Sequence, residues 1–327
     1  MRCSAQRALP GATRTGGAPS GTRLDVERRR FGGTDMDVSV LGFGGSEIGY
    51  ARTEQEVVDR LLNRALDAGL NVIDTAECYV DSEVAIGRAV SGRRKDYWLF
   101  TKVGHWPSED GWTAKGITRC IERSLERLRT DHLDLVQLHS CGLDVLRRGE
   151  VIEALEKARE AGKTRYIGYS GDREEALFAI ESGRFDALQT SINVFDQQAI
   201  DLLLPRAREK NLGVICKRPI GNAVWRHEEE PKDGYVADYW RRMRELDYDF
   251  CKGDRRTDRG PEGAAGVALR FTVSLPGVHT AIVGTTNPDR FAQNAKLLAA
   301  GPLPEEQMAT IRARWKEVAR DDWVGRT

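Results

Sequence analysis

The chain has 327 residues, of which 40% are hydrophobic, and its 50 Lys and Arg residues balance 50 Asp and Glu residues to a formal net charge of zero. A protein that binds nucleic acid needs a basic excess to neutralise phosphates, so this balance argues against that class. No run of about 18 uncharged apolar residues occurs, and we therefore expect no transmembrane helix. The apolar fraction is large enough for a core, which excludes wholesale disorder.

The six cysteines are scattered along the chain and form no Cys-x-x-Cys pair. Neither a zinc ribbon nor a thioredoxin-type redox motif is therefore indicated, and we predict no bound metal. So few cysteines in so long a chain are more typical of reduced thiols than of a disulfide framework, which favours a cytoplasmic location.

Residues 1–29 differ in composition from the rest of the chain. Residues 1–30 contain seven arginines and two acidic residues, with Gly, Ala, Pro and Ser between them. Pro10, Pro19 and several glycines would break a helix. We predict a disordered extension over residues 1–29, with a targeting segment as the alternative, and a folded domain over residues 30–327.

From Arg30 onward, short β-branched runs alternate with longer helical patterns. The runs predict eight strands, over residues 38–43, 71–74, 97–101, 133–138, 165–169, 187–189, 212–216 and 279–283. Apolar periodicity predicts helices over residues 55–68, 82–90, 117–128, 151–161, 173–182, 197–210 and 288–300. Pro205 is expected to bend or break its helix. A last amphipathic helix from Leu303 onward is expected to pack on the exterior of the fold.

Eight strands alternating with helices, at roughly 25 to 40 residues apart, are typical of a closed parallel barrel. A doubly wound open sheet is the alternative, but its dinucleotide fingerprint needs a third glycine where Glu47 stands. We therefore predict an α/β fold, a single-domain (β/α)8 TIM barrel. About 60 residues separate the seventh and eighth strands, and the insertion Asn222–Gly260 holds a helix-like piece over Tyr235–Lys252. Such an insertion is expected on the catalytic face, where it shapes substrate access.

Polar residues stand at the carboxyl ends of three successive predicted strands, namely Asp74, Lys102 and His139, and Tyr79 lies in the loop after Asp74. The carboxyl ends of barrel strands converge on one pocket, so these side chains are expected to meet. An ammonium beside a phenol stabilises the phenolate and lowers the pKa of the phenol, and a carboxylate holds the ammonium in place. With a histidine to orient a carbonyl oxygen, the set is suited to proton donation onto a carbonyl that receives a hydride.

Several motifs carry a family resemblance. The segment Asn71–Tyr79, followed by Ser82-Glu83 and Ile86–Ala89, resembles the signature of the aldo/keto reductase superfamily. Residues 100–102, 137–139 and 167–170 resemble the later sequence blocks of that family, in the same order. The resemblance runs from about Arg30 to the last helix.

The resemblance implies the reduction of aldehydes or ketones by hydride transfer from a nicotinamide cofactor. It implies a catalytic tetrad formed by Asp74, Tyr79, Lys102 and His139, in which Tyr79 donates the proton. Ser170 matches a serine that binds the carboxamide, and Gln189 matches the glutamine beneath the nicotinamide ring. The family usually has Asn after that serine, whereas this chain has Gly171.

Residues 282–294 are similar to the family's adenosine-phosphate clamp. Arg290 falls on the position that contacts the ribose 2′-phosphate, and Gln293 and Asn294 fall on adenine-contacting positions. Gly284 replaces a lysine that many members carry for the same phosphate, so NADP preference would rest on Arg290 and the hydroxyls of Thr285 and Thr286. An arginine fork suits a dianionic phosphate, so we favour NADPH (NADP+), with NADH possible.

Two further sets of residues are candidates for ligand contacts. Lys217 and Arg218 replace an aromatic-containing stretch of the family, and they contact either the cofactor pyrophosphate or solvent. His105 and Trp106 are expected to line the substrate pocket, because they follow Lys102 in the third loop. The aromatic residues of nearby loops are weaker candidates: Trp112, Trp225 and Tyr235. Cys78 and Cys141 neighbour the proposed site and are either oxidisable or inert packing thiols.

Two other classes of function compete with a carbonyl reductase. One is a cofactor-sensing binding protein with vestigial turnover. The other is a phosphate-substrate barrel, such as an aldolase or isomerase, in which the clamp holds a sugar phosphate and Lys102 forms a Schiff base.

Overall fold

Eight parallel strands close into a barrel in the computed structural model, which describes residues 24–105, 111–232, 234–253 and 257–325. An antiparallel hairpin comes first, formed by β1 (Arg28–Arg30) and β2 (Asp37–Ser39). The barrel strands are β3 (Leu41–Gly44), β4 (Val72–Asp74), β5 (Trp98–Val103), β6 (Leu133–His139), β7 (Thr164–Ser170), β8 (Ala187–Ser191), β9 (Gly213–Lys217) and β10 (Thr280–Gly284). They pair in chain order, and β10 closes the barrel against β3. All eight predicted strands are present, and the TIM barrel is confirmed.

Helices surround the barrel. They are α1 (Ser46–Tyr50), α2 (Gln55–Asp67), α3 (Ser82–Val90), α4 (Ala114–Leu128), α5 (Leu143–Arg148), α6 (Glu150–Glu160), α7 (Arg173–Glu181), α8 (Gln198–Leu202), α9 (Leu204–Glu209), α10 (Gly234–Leu246), α11 (Ala264–Ser274), α12 (Arg290–Leu298) and α13 (Glu305–Val318). Short 3-10 helices cover Ser91–Asp96, Gly221–Arg226, Asp249–Cys251 and Thr257–Glu262. The break expected at Pro205 is present, since α9 begins there with the proline in its first turn. No helix within the described ranges is long and apolar enough to cross a membrane.

The barrel interior is built in layers, because side chains along a strand alternate between its two faces. The lower layer is apolar and consists of Val72, Phe100, Leu135, Ala187, Ile215 and Ile282, all buried in one cluster. Two residues further along the same strands, an upper and mostly polar layer consists of Asp74, Lys102, Gln137, Gln189, Lys217 and Gly284. The strand period of two therefore places these polar side chains together at the carboxyl end of the barrel.

The hairpin closes the opposite end of the barrel. Phe31 and Met36 are fully buried in the same cluster as the lower layer. Before the hairpin, the Leu24 amide donates to the Ala68 carbonyl at 3.1 Å. Residues 24–29 therefore contact the barrel domain, and the division into an extension and a domain stays a prediction. Residues 1–23 of the expected extension lie outside the described part.

In its described residues, the long connection between β9 and β10 holds two α-helices besides the short 3-10 helices, and the sequence pattern indicated only the first of the two. In α10, the Tyr239 hydroxyl donates to Asp196 Oδ2 at 2.9 Å, and Arg242 Nη1 donates to the Phe195 carbonyl at 3.2 Å. The insertion therefore packs on the loop that follows β8, at the carboxyl end of the barrel. The second helix, α11, has ten of its eleven residues buried. With no polar face, it shows none of the periodicity that marks an amphipathic helix.

Helices α3 and α4 approach each other closely at Gly87. A Cβ atom on Gly87 would lie 2.2 Å from the Arg127 carbonyl oxygen, so the two backbones leave no space for a side chain. We predict that Gly87→Ala lowers the free energy of unfolding by about 2 kcal/mol, because α3 must move away from α4. Urea denaturation measures this loss.

Gly92→Ala is the matched control, since nothing lies within 4 Å of a Cβ atom built on Gly92. Equal stabilities of the two variants would contradict the close approach of the two helices.

Candidate functional site

A buried ion pair stands at the centre of the polar layer. Lys102 Nζ donates to Asp74 Oδ1 at 2.5 Å and to the Thr75 carbonyl at 2.8 Å, and both paired side chains are 1% exposed. Burial by itself would lower the pKa of Lys102, but the raising effects of Asp74, Tyr79 and Cys78, of which Asp74 gives the largest, together outweigh it and raise that pKa. Lys102 is therefore a fixed positive charge at the end of β5.

Two glutamines hold the other oxygen of Asp74. Gln189 Nε2 donates to Asp74 Oδ2 at 2.9 Å, and Gln137 Nε2 donates to it at 3.2 Å. Ser170 Oγ lies 3.5 Å from Gln189 Oε1, which places the predicted carboxamide-binding residue beside the same network. Sequence reasoning did not single out Gln137. The strand period was the available signal, because Gln137 shares its face of β6 with His139.

Tyr79 lies beside this ion pair. Lys102 Nζ is 5.0 Å from the centroid of the Tyr79 ring, so the predicted pair of phenol and amine comes together. Burial raises the pKa of Tyr79, and the opposing effect of the Lys102 ammonium does not overcome it. The lowered phenol pKa expected from the sequence is thus wrong for this structure. Tyr79 is protonated at neutral pH, which is the form that a proton donor requires.

His139 completes the group at the end of β6. Its ring centroid is 5.6 Å from that of Tyr79, with the ring planes at 79°. Burial lowers the pKa of His139 well below its usual value, and four nearby side chains act in the same direction: Lys102, His105, Lys217 and Arg218. His139 is therefore neutral at neutral pH. The structure brings all four predicted tetrad residues together.

Lys217 and Arg218 turn toward the barrel rather than into open solvent. Lys217 Nζ lies 3.0 Å from Asp172 Oδ2, and the Lys217 side chain is 13% exposed. Arg218 Nη1 donates to Ser191 Oγ at 3.2 Å. Burial lowers the pKa of Lys217 despite its partner Asp172. Both cations stand at the carboxyl end of β9, where a contact with a pyrophosphate stays a prediction.

Two glycines that depart from the family pattern have steric explanations. A Cβ atom on Gly171 would lie 2.5 Å from Tyr169 Cε1, so the asparagine usual at this position does not fit beneath that ring. A Cβ atom on Gly284 would lie 2.6 Å from Glu47 Cγ. Glu47 therefore occupies the space into which a lysine at position 284 would extend.

The clamp segment lines a small pocket of about 10 Å³, together with residues of β3 and α2, and Thr285, Arg290 and Asn294 are among the lining residues. Thr286 and Gln293 are exposed next to it. Burial and the neighbouring guanidinium of Arg226 lower the pKa of Arg290. Neither arginine forms a salt bridge with any residue that the structure describes. Sequence reasoning missed Arg226, because nothing in the sequence relates the insertion to the clamp.

The pocket candidates differ in their exposure and in whether the structure describes them. His105 is exposed beside the tetrad, with its ring centroid 4.7 Å from that of His139. Trp225 is buried against Phe195, and its contact with a substrate stays a prediction. Trp112 packs on Gly104 and is half-buried. Trp106 and the side chain of Tyr235 lie outside the described residues.

The two neighbouring cysteines differ. Cys141 is fully buried, as expected for a packing thiol. Cys78 is partly exposed, and its Sγ lies 3.4 Å from His139 Nδ1.

Comparisons with known proteins agree with this geometry. The sequence model of the aldo/keto reductase family matches residues 40–316, and the chain belongs to that family. The holo form of aldo-keto reductase AKR11C1 from Bacillus halodurans is similar in structure, with a TM-score of 0.75 and 25% identity over 91% of this chain and 99% of that one. Uncharacterized oxidoreductase YqkF from Bacillus subtilis is 26% identical over 89% of this chain and 97% of that protein. Aldo-keto reductase yakc [NADP(+)] from Schizosaccharomyces pombe is 27% identical over 67% of this chain and 68% of that protein.

Membership of the family defines the general chemistry. Aldo-keto reductases are oxidoreductases that use nicotinamide cofactors and act on small carbonyl compounds. The predicted barrel and the family resemblance are therefore both confirmed.

The residue after Tyr79 has a strained backbone. Val80 has a φ of 49° and is 41% exposed, and a β-branched side chain is strongly disfavoured in this left-handed region. We predict that Val80→Gly raises the free energy of unfolding by about 1 kcal/mol, because glycine adopts this conformation without strain and little packing is lost. Thermal denaturation measures the gain.

Val80→Ala is the control, since alanine keeps the Cβ atom and most of the strain. A glycine variant no more stable than the alanine variant would show that this backbone stores no strain.

Proposed function

We propose that this protein is an NADPH-dependent reductase that converts aldehydes or ketones to alcohols. One observation carries the proposal, namely that a protonated phenol, a charged amine and a neutral imidazole meet at the carboxyl end of the barrel. A bound nicotinamide cofactor would supply the hydride, and these side chains would supply and steer the proton.

Each tetrad residue has a distinct role in this proposal. Tyr79 donates its hydroxyl proton to the carbonyl oxygen as that oxygen gains negative charge. Lys102 stabilises the resulting phenolate, because its ammonium lies beside the ring and opposes the effect of burial on the pKa of Tyr79. Asp74 keeps the ammonium charged and in place. His139, neutral and next to Tyr79, orients the carbonyl oxygen by a hydrogen bond.

The residues around the tetrad fit a phosphorylated nicotinamide cofactor. Ser170 and Gln189 offer polar contacts for the carboxamide and the ring next to Asp74. Arg290 lines a small pocket and has Arg226 as a neighbouring cation, and a 2′-phosphate would relieve the repulsion between these two arginines. Their arrangement favours NADPH over NADH, and the relative yakc carries NADP(+) in its name.

The competing functions make less use of this arrangement. A lysine that forms a Schiff base needs a lowered pKa, whereas Asp74 raises that of Lys102. A cofactor-sensing protein with vestigial turnover would bind NADPH without needing Tyr79. Within the described part, four cysteines form no disulfide bond, namely Cys78, Cys120, Cys141 and Cys216, and this supports the proposed cytoplasmic location.

The first test removes one oxygen atom. We predict that Tyr79→Phe lowers kcat/KM for carbonyl reduction at least about 100-fold, because the proton donor is lost while the ring is kept. NADPH binding, followed by cofactor fluorescence, should change less than twofold.

Tyr50→Phe is the matched control, since its exposed ring lies 5.8 Å from that of Tyr79 and should contribute nothing to proton transfer. Near-full activity of the Tyr79 variant would refute the assigned donor. Binding of NADPH with no turnover of any carbonyl by the unaltered protein would favour the sensing function instead.

The second test concerns cofactor choice. We predict that Arg290→Ala and Arg226→Ala each raise the KM for NADPH at least about tenfold, because each removes a charged contact to the phosphate. The KM for NADH should change less than twofold. Steady-state kinetics with both cofactors measures the difference.

Arg64→Ala is the control, since Arg64 is an exposed arginine next to the clamp and pairs with Asp289 at 2.6 Å. Equal effects on NADPH and NADH would show that these arginines do not read the 2′-phosphate.

A further inference from the structure

We propose that Cys78 is a positioning residue that sets the tautomer of His139. Its thiol donates to His139 Nδ1 and thereby leaves the imidazole proton on Nε2. The catalytic meaning of this contact rests on the proposed reductase function, whereas the contact itself can be tested in the resting protein.

The geometry supplies one polar partner for Nδ1. Cys78 Sγ lies 3.4 Å from His139 Nδ1, within hydrogen-bond range for sulfur. His105 approaches a different atom, since its Nδ1 lies 3.4 Å from the His139 carbonyl oxygen. The Tyr79 ring meets the imidazole as a ring contact at 79°. Within the described residues, the thiol is thus the side-chain group that determines the state of Nδ1.

The protonation states of the Cys78 thiol and the His139 imidazole indicate which of them donates the hydrogen bond. Burial raises the pKa of Cys78 to about 11, so the thiol keeps its proton at neutral pH. His139 is neutral there, because burial and nearby cations lower its pKa. A neutral imidazole has one N–H group and one acceptor nitrogen. The thiol is weak both as donor and as acceptor, but the unprotonated imidazole nitrogen is a better acceptor than sulfur, so we infer that the thiol donates to Nδ1.

The consequence falls on the opposite edge of the ring. With Nδ1 accepting from Cys78, the proton is on Nε2, which points away from the thiol. An Nε2–H group can donate to a carbonyl oxygen placed next to Tyr79. In the other tautomer, Nε2 would present a lone pair to that oxygen and repel it. The side chain adjacent to the proton donor in sequence therefore prepares the second hydrogen bond to the substrate.

The direct test reads the tautomer in the protein without substrate. Long-range 1H–15N correlation spectra of 15N-labelled protein distinguish the two neutral tautomers and the charged ring. The chain has five histidines, and comparison with His139→Asn identifies the signals of His139. We expect the Nε2–H form at pH 7. A dominant Nδ1–H form, or a doubly protonated ring, would overturn the proposal without any variant at Cys78 being needed.

Two substitutions at Cys78 separate the hydrogen bond from simple packing. Cys78→Ser keeps a donor of similar size and should keep the Nε2–H form, whereas Cys78→Ala should yield a mixture of tautomers. For carbonyl reduction, kcat/KM should fall about fivefold in the alanine variant, as expected for one lost hydrogen bond, and less than twofold in the serine variant. Equal behaviour of the two variants in spectrum and rate would overturn the proposal.

The outcomes also separate this proposal from the proposed function. The tautomer measurement needs no turnover, so an absence of reductase activity would leave it intact. Conversely, a failed tautomer test would leave the effect of Tyr79→Phe unchanged.

Discussion

The buried pair of Lys102 and Asp74 is the interaction on which the rest of the site depends. Removing two charges from water is costly, and a buried pair is a poor source of stability unless all its polar atoms are satisfied. Here Gln137 and Gln189 satisfy the second carboxylate oxygen, and the Thr75 carbonyl accepts from the ammonium. The Lys102 ammonium is thus kept out of water despite the energetic cost. A fixed charge directly beside a phenol is what a proton-transfer site requires.

Much of this site could be predicted because the barrel brings residues that follow a simple sequence rule to one location. The strand period of two puts Asp74 and Lys102 above Val72 and Phe100, and strand closure brings their ends together. Polar residues that follow apolar ones by two positions along several strands therefore predict one shared pocket. The same rule applies to Gln137, which is the last but one inward-facing position of its strand.

The parts that sequence reasoning missed depend on contacts between segments. Helix α11 is buried on all sides and so lacks the polar face from which helices are recognised. Arg226 lies beside Arg290 only because the insertion folds back over the barrel end. The direction of the Tyr79 pKa was also wrong, since the sequence reveals a neighbouring cation but not the extent of burial. Each miss concerns the surroundings of a residue rather than its identity.

In the cofactor-binding part of the site, the residue at one position limits which residue fits at another. Glu47 takes the space beside Gly284, so a side chain at that position would require the Glu47 side chain to move. On our proposal, Arg226 supplies the missing charge from the insertion after β9. The insertion packs on the loop after β8 through Tyr239 and Arg242, which anchors it at the carboxyl end of the barrel. Cofactor choice in this chain would then depend on how firmly the insertion is anchored, and not on the clamp segment alone.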